Sequence, residues 1–276
     1  MTEQSDVRQV GRRGLLSGAL AGGAAVVAGG VLSAPGAQAA PRPAVACPFP
    51  RPTLYTREQW KAVPPQDPAG VRVEPFRPAL IVVHHMAYPN STDYSLEHAF
   101  QLSRDCQDDH MRHNGWNDIG QQLTLSRGGF LMEGRYRSAE AIRRRKQVVG
   151  AQVANWNSVC LGIENEGTYV TELPPAAQWR ALVATCAWLC HGYGLDPMTA
   201  LVGHRDLNQP GTPLATECPG NALYKRLPGL RAEVARAMGL PVGGGSPNHV
   251  AEDVPGTRAG RTGDHGPAVG PLDPTR

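Results

Sequence analysis

One stretch constrains the chain more than any other: Pro78–Ala79–Leu80–Ile81–Val82–Val83–His84–His85. Five apolar residues rich in β-branched side chains predict a core strand. The strand stops in two imidazoles, at the kind of strand end where reactive side chains are displayed. Side chains alternate along a strand, so His84 shares a face with Val82, while His85 shares one with Ile81 and Val83. One histidine therefore enters a site and the other packs or orients a neighbour. The alternative is a pair of structural or surface histidines.

A second piece lies more than a hundred residues on, Gly203–His204–Arg205–Asp206 followed by Thr216–Glu217–Cys218–Pro219–Gly220. Imidazole and thiolate are good zinc ligands, and two histidines with one cysteine leave a tetrahedral position open for water. Spacing alone does not bring His84, His204 and Cys218 together; only the fold can.

Six stretches occur in a telling order: IVVHHMAYPN, GWNDIG, FLMEGR, VCLGIENEGTY, GHRDLN and TECPG. In that order the chain resembles the peptidoglycan recognition proteins and the related type 2 N-acetylmuramoyl-L-alanine amidases. The similarity covers Leu54 to Met238, about two thirds of the chain. The resemblance implies an α/β fold, a mixed central sheet flanked by helices, with zinc held by His84, His204 and Cys218. It implies hydrolysis of the amide between the muramic acid lactyl group and L-alanine, with the glycan strand and stem peptide as partners. Other members of the family bind peptidoglycan without cutting it.

The chain also departs from the family pattern. Many active members carry tyrosine directly after Asp–Ile–Gly, where this chain has Gln121, which cannot titrate but can hydrogen-bond substrate. Gln152 stands where relatives often show histidine. Glu164, in Gly162–Ile163–Glu164–Asn165–Glu166–Gly167, is similar to the glutamate assigned to acid–base work in amidases that act on anhydro-muropeptides. Glu164 is therefore expected to be the general acid–base, and Glu166 to meet the substrate edge. Thr216 matches a position that contacts the reaction centre in some relatives, while others have lysine there. Asp206 is expected to accept a hydrogen bond from His204 or Arg205, since a ligand histidine normally donates its second N–H, or to form a salt bridge that only shapes the loop.

The flanks read differently from the centre. Arg12–Arg13 precedes an apolar run rich in glycine and alanine, and Ala37–Gln38–Ala39 offers a cleavage site. That layout predicts a twin-arginine signal peptide over residues 1–39, as in a secreted bacterial protein, and no stable membrane anchor. Residues 40–53 form an extended linker, 54–240 the domain, and 241–276 a disordered tail poor in large apolar groups. Residues 1–39 carry three basic and two acidic groups, so their removal takes the net charge from +3 to +2. That is too little to imply nucleic acid, and a monomer is expected. Of six cysteines, five remain if Cys218 binds metal, and the pairing of Cys47, Cys106, Cys160, Cys186 and Cys190 is not readable. Cys186 and Cys190 lie on one helix face with parallel Cα–Cβ directions, which disfavours a direct bridge.

Coarse elements follow from pattern. A helical turn at Tyr55–Trp60 anchors Trp60, and Val71–Val73 is an edge strand. Ser95 caps a helix ending near His113–Gly115, where His110 packs or caps. Residues 119–125 and 130–133 form a hairpin beside the central strand. In Val159–Glu166, Val159, Leu161 and Ile163 make one face and Gly162, Glu164 and Glu166 the other. Gly162 in that setting predicts room for a ligand. Pro174–Pro175 opens a helix ending at Gly192 or Gly194, and a last helix spans Pro228–Met238.

Overall fold

The computed structural model describes residues 50–208, 211 and 213–242. The expected signal peptide, residues 40–49 of the linker and the tail beyond Val242 lie outside the described residues. In chain order the elements are β1 (Leu54–Tyr55), β2 (Val73–Glu74), β3 (Leu80–His85) and α1 (Leu96–Asp108), which runs on into a π turn at Asp109–His113. Next come β4 (Leu123–Leu125), β5 (Leu131–Glu133), α2 (Ser138–Arg143), β6 (Gln147–Val148) and β7 (Cys160–Asn165). The remainder are α3 (Ala176–Tyr193), α4 (Pro197–Ala200), β8 (Leu201–Gly203), α5 (His204–Leu207) and α6 (Asn221–Ala237).

Six strands form one mixed sheet in the order β1-β5-β4-β7-β3-β8, and β2 pairs with β6 in a separate ribbon. β3 is parallel to both of its neighbours, β7 and β8. A central parallel strand is covered on both faces, which is why it reads as a nearly unbroken apolar run. The β4–β5 hairpin is antiparallel as expected, but it does not stand beside β3. β7 inserts between them, pairing Leu123 with Ile163 on one side and Val83 with Ile163 on the other. No local pattern could announce that insertion, because the partners are far apart in sequence.

Alternation along β3, β4 and β7 divides the sheet into two unlike faces. Ile81, Val83, Leu123, Leu125, Leu161 and Ile163 join Leu182, Cys186 and Leu189 of α3 and Leu223, Leu227, Leu230 and Val234 of α6 in one buried cluster. Each such side chain contributes roughly 1.5–3 kcal/mol by leaving water. The other face carries Val82 and His84, Gly162 and Glu164, and Thr124, with α1 packed across it through Ala99, Leu102 and Cys106.

Local signals explain the element ends. Ser95 Oγ accepts the His98 amide at 3.1 Å and starts α1. Gly194, left-handed at φ 66, closes α3. Two expectations need correction. Leu54–Tyr55 is a strand parallel to Leu131–Met132, so the expected turn starts only after it, over residues 57–61, with the Trp60 amide reaching the Thr56 carbonyl at 3.3 Å. Trp60 is fully buried, as expected, and donates to the Glu133 carbonyl at 2.8 Å. The last helix begins at Asn221, with Pro228 inside it. A proline removes one helical N–H and crowds the preceding turn, but Leu223 and Leu227 anchor that turn in the same core as Leu230 and Val234.

The separate ribbon pairs Val73 with Val148, so the edge strand starts two residues later than expected. Cys106, Cys186 and Cys190 are free buried thiols. Among the described residues, no helix is long and apolar enough to cross a membrane.

Candidate metal centre

His84 is the penultimate residue of β3, His204 follows directly on β8, and Cys218 sits in the turn before α6. Because β8 is the parallel neighbour of β3, both histidines emerge at the same end of the sheet. Their rings lie 4.7 Å apart between centroids, inclined at 65°. His84 Nδ1 is 3.5 Å from Cys218 Sγ. One ring nitrogen of each histidine and Cys218 Sγ all lie within 4.8 Å of one another, and all three residues are buried.

The hydrogen bonds sort the ring nitrogens. His84 Nε2 meets Gln152 Oε1 at 2.5 Å, so it carries the proton and leaves Nδ1 as the lone-pair donor. His204 Nε2 lies 3.1 Å from the Asn208 amide, while its buried Nδ1 has no hydrogen-bond partner. An orphaned buried imidazole nitrogen costs free energy unless it meets a ligand. Nδ1 of both histidines and the thiolate therefore form a donor set that fits a metal ion. Asn208 Nδ2 is the atom that faces His204 Nε2; with a metal on Nδ1, Nε2 would carry the proton and the Asn208 amide would turn its oxygen to accept it. Burial also favours the neutral, ligating imidazole: it lowers His84 to about 3, and it pushes His204 well below the usual range.

The surroundings hold the trio in place. The His85 amide donates to Cys218 Sγ at 3.4 Å. The His85 ring lies on the other side of the sheet, where Nδ1 accepts the Tyr169 amide at 3.1 Å. It is the packed neighbour and not a fourth ligand. Arg205 ties the cysteine turn to α5, its amide reaching the Cys218 carbonyl at 3.0 Å and its guanidinium reaching Asn221 at 2.7 Å and the Glu217 carbonyl. Asp206 takes the loop-shaping role, accepting from the Gly203 amide at 2.8 Å and the Tyr224 hydroxyl at 2.5 Å. Thr216 Oγ1 accepts the Cys218 amide at 3.1 Å.

Glu164 is register partner of His84 across the β3–β7 ladder, and its Oε1 lies 3.8 Å from His84 Nδ1. The carboxylate is buried beside the trio. Glu166, one pleat on, is bonded on both oxygens: Oε1 to His98 Nε2 at 2.7 Å and Oε2 to the Arg127 amide at 2.6 Å. It braces α1 and the hairpin turn against β7.

Gln152 and Gln121 are also buried and engaged internally. Gln152 occupies the space above Gly162, where a Cβ would come within 2.5 Å of its Oε1. The missing side chain thus makes room for the residue that orients His84, where a ligand had been expected. Gln121 donates to Thr124 Oγ1 at 2.9 Å and to Cys106 Sγ at 3.4 Å. His110 accepts the Gly120 amide at 3.0 Å and stacks on Trp116 at 4.6 Å, a packing role as expected. Sequence reasoning missed Asn208, whose signal was its place four residues after His204, one turn along. It also missed His98, which had no signal beyond lying on α1.

The family described as N-acetylmuramoyl-L-alanine amidase matches residues 74–221. The chain is 32% identical to peptidoglycan-recognition protein LB of Drosophila melanogaster over 63% of its own length and 67% of that protein's. It is 31% identical to an N-acetylmuramoyl-L-alanine amidase of Sus scrofa, where the match covers 64% of this chain but spans only 27% of the relative. A solved structure of a Drosophila PGRP-LB variant in complex with tracheal cytotoxin superposes with a TM-score of 0.52 at 29% identity, covering 63% of this chain and 92% of the other. By its matched span, its fold and its buried His/His/Cys cluster, the chain belongs to the N-acetylmuramoyl-L-alanine amidase family.

Proposed function

We propose that the chain is a zinc-dependent N-acetylmuramoyl-L-alanine amidase that hydrolyses the bond between the muramic acid lactyl group and L-alanine in peptidoglycan. The observation that carries this reading is the buried His84, His204 and Cys218 cluster with the Glu164 carboxylate 3.8 Å from His84 Nδ1. Two imidazoles and a thiolate suit zinc, and three protein ligands leave a coordination position for a reactant. A zinc ion bound there would supply Lewis-acid polarisation of the scissile carbonyl and acidify water.

The chain's own residues do the rest. Glu164 takes the proton of the attacking water and returns one to the leaving nitrogen of L-alanine. Thr216 accepts from the Cys218 amide and keeps its own hydroxyl proton for the reacting group. Gln152 and Asn208 hold the histidine rings in the ligating orientation. The glycan strand and stem peptide are the ligands this chemistry requires.

A second reading is a peptidoglycan-binding protein that does not cut, favoured by Gln121, which cannot titrate. Digestion of purified peptidoglycan separates the two: release of L-alanine amino termini supports the amidase, and binding without release contradicts it. We extend the reading to export by the twin-arginine route. Replacing Arg12 and Arg13 with lysine is expected to retain the precursor in the cell, and unchanged secretion would contradict that route.

A further inference from the structure

The ligating tautomer of His84 depends on which end of the Gln152 carboxamide faces it. With Oε1 towards His84 Nε2 at 2.5 Å, Nε2 carries the proton and Nδ1 keeps its lone pair for a metal. A half-turn of the amide would present its N–H instead. Two N–H groups cannot share that contact, so the ring proton would move to Nδ1 and block the ligand atom. The two ends of a carboxamide have nearly the same shape, and packing does not choose between them. Only hydrogen-bonding partners can.

One partner comes from β7. Cys160, Gly162 and Glu164 alternate along one face of that strand, and across the ladder Gly162 pairs with Val82 and Glu164 with His84. Because Gly162 has no side chain, the Gln152 carboxamide lies over it, one end meeting Cys160 and the other His84. The Cys160 sulfur is 3.1 Å from Gln152 Nε2. The Cys160 carbonyl is the other acceptor, at 3.5 Å, the limit of a hydrogen bond, and it already takes Gln147 Nε2 at 2.5 Å. The main chain is pinned separately: the amides of Gln152 and Val153 donate to Asn157 Oδ1 at 2.7 and 2.9 Å. Cys160 and Gln152 are both wholly buried, so bulk water does not compete for the carboxamide.

We propose that Cys160 is a positioning residue for the metal centre: its sulfur accepts from the Gln152 amide, fixes Oε1 towards His84, and so keeps His84 Nδ1 available to ligate. This rests on the metal-binding reading above, and its test begins on zinc-free protein so that the two can fail separately. The full chain with 15N-labelled imidazoles is compared with Cys160→Ala, Cys160→Val and Cys160→Ser. The first two remove the acceptor, the second of them while refilling the space of the thiol, and the third supplies a hydroxyl acceptor in its place. Two quantities are read: the protonated ring nitrogen of His84 without metal, from its 15N shifts, and zinc affinity by chelator competition.

The wild type is expected to carry the His84 proton on Nε2. In Cys160→Ala and Cys160→Val a population protonated at Nδ1 appears, and zinc binds about tenfold more weakly, the worth of one net hydrogen bond. Cys160→Ser keeps the wild-type tautomer and an affinity within about threefold. A wild-type ring protonated at Nδ1 overturns the proposal. So does either non-accepting variant that folds and keeps both the tautomer and the zinc affinity of the wild type. Equal zinc losses in all three variants with the tautomer unchanged also overturn it, since they make Cys160 a packing residue only. A wild type that takes up no zinc overturns the metal-binding reading, and this proposal with it.

Discussion

The two faces of the central sheet are built from alternate residues of the same strands, yet they obey different rules. On the α3/α6 face, Ile81, Val83, Leu161 and Ile163 join one buried apolar cluster, so shape and burial account for those positions. On the opposite face the same strands carry His84, Gly162 and Glu164. An imidazole, a missing side chain and a carboxylate are poor core material, and burying them costs free energy unless each is paired. The first face holds the fold together; the second is tolerated because of it and carries the chemistry. Adjacent residues of one strand should therefore fail in different ways when changed.

The largest expected effect is on chemistry at Glu164. Glu164→Gln should lower turnover about 10²–10⁴-fold, the span for losing a general acid–base, while zinc content and the unfolding midpoint stay close to wild type. Release of L-alanine amino termini measures it, and near-normal turnover would break the mechanism. Its neighbour across the pleat gives the mirror result. Ile163→Ala should cost about 2–5 kcal/mol of stability through the cavity it leaves, with turnover per folded molecule retained. Urea unfolding reads that difference, and a variant that loses activity without losing stability would erase the distinction between the faces.

Gly162→Ala sharpens the comparison within the polar face. The added Cβ collides with Gln152 Oε1 and displaces the partner of His84 Nε2. Zinc affinity should drop about 10–100-fold, as for losses of a ligand's supporting hydrogen bond; chelator competition measures it. Glu166→Gln should have the smallest effect. Its oxygens hold His98 and the Arg127 amide, so the change costs about 1 kcal/mol of stability and leaves turnover within about tenfold of wild type. A loss matching that of Glu164→Gln would mean that the two carboxylates act through a shared field.

What could be read from sequence divides along the same line. The apolar face was legible because its signals are local: the β3 strand and the Leu161/Ile163 face follow from β-branched runs and strict alternation, and the α3 span follows from Pro174–Pro175 at its start and Gly194 at its end. The ligand trio was legible only through resemblance, since residues 84, 204 and 218 meet by strand pairing that no spacing encodes. The second layer of the site was not legible. Gln152 reaches His84 because Gly162 vacates the intervening space, and Glu166 reaches His98 because α1 crosses the sheet; both depend on tertiary placement. Pro228 misled in the other direction: read as the start of the last helix, it lies inside a helix whose first turns are held in the core by Leu223 and Leu227.

The central claim is that His84, His204 and Cys218 hold a zinc ion on the polar face, and metal content tests it most directly. Purified protein and its Cys218→Ser variant are compared by elemental analysis after identical dialysis. The account predicts one zinc per chain in the wild type and a strong loss in the variant, because a serine hydroxyl is a poor replacement for a thiolate. Equal metal content in the two proteins, or none in the wild type, would contradict it.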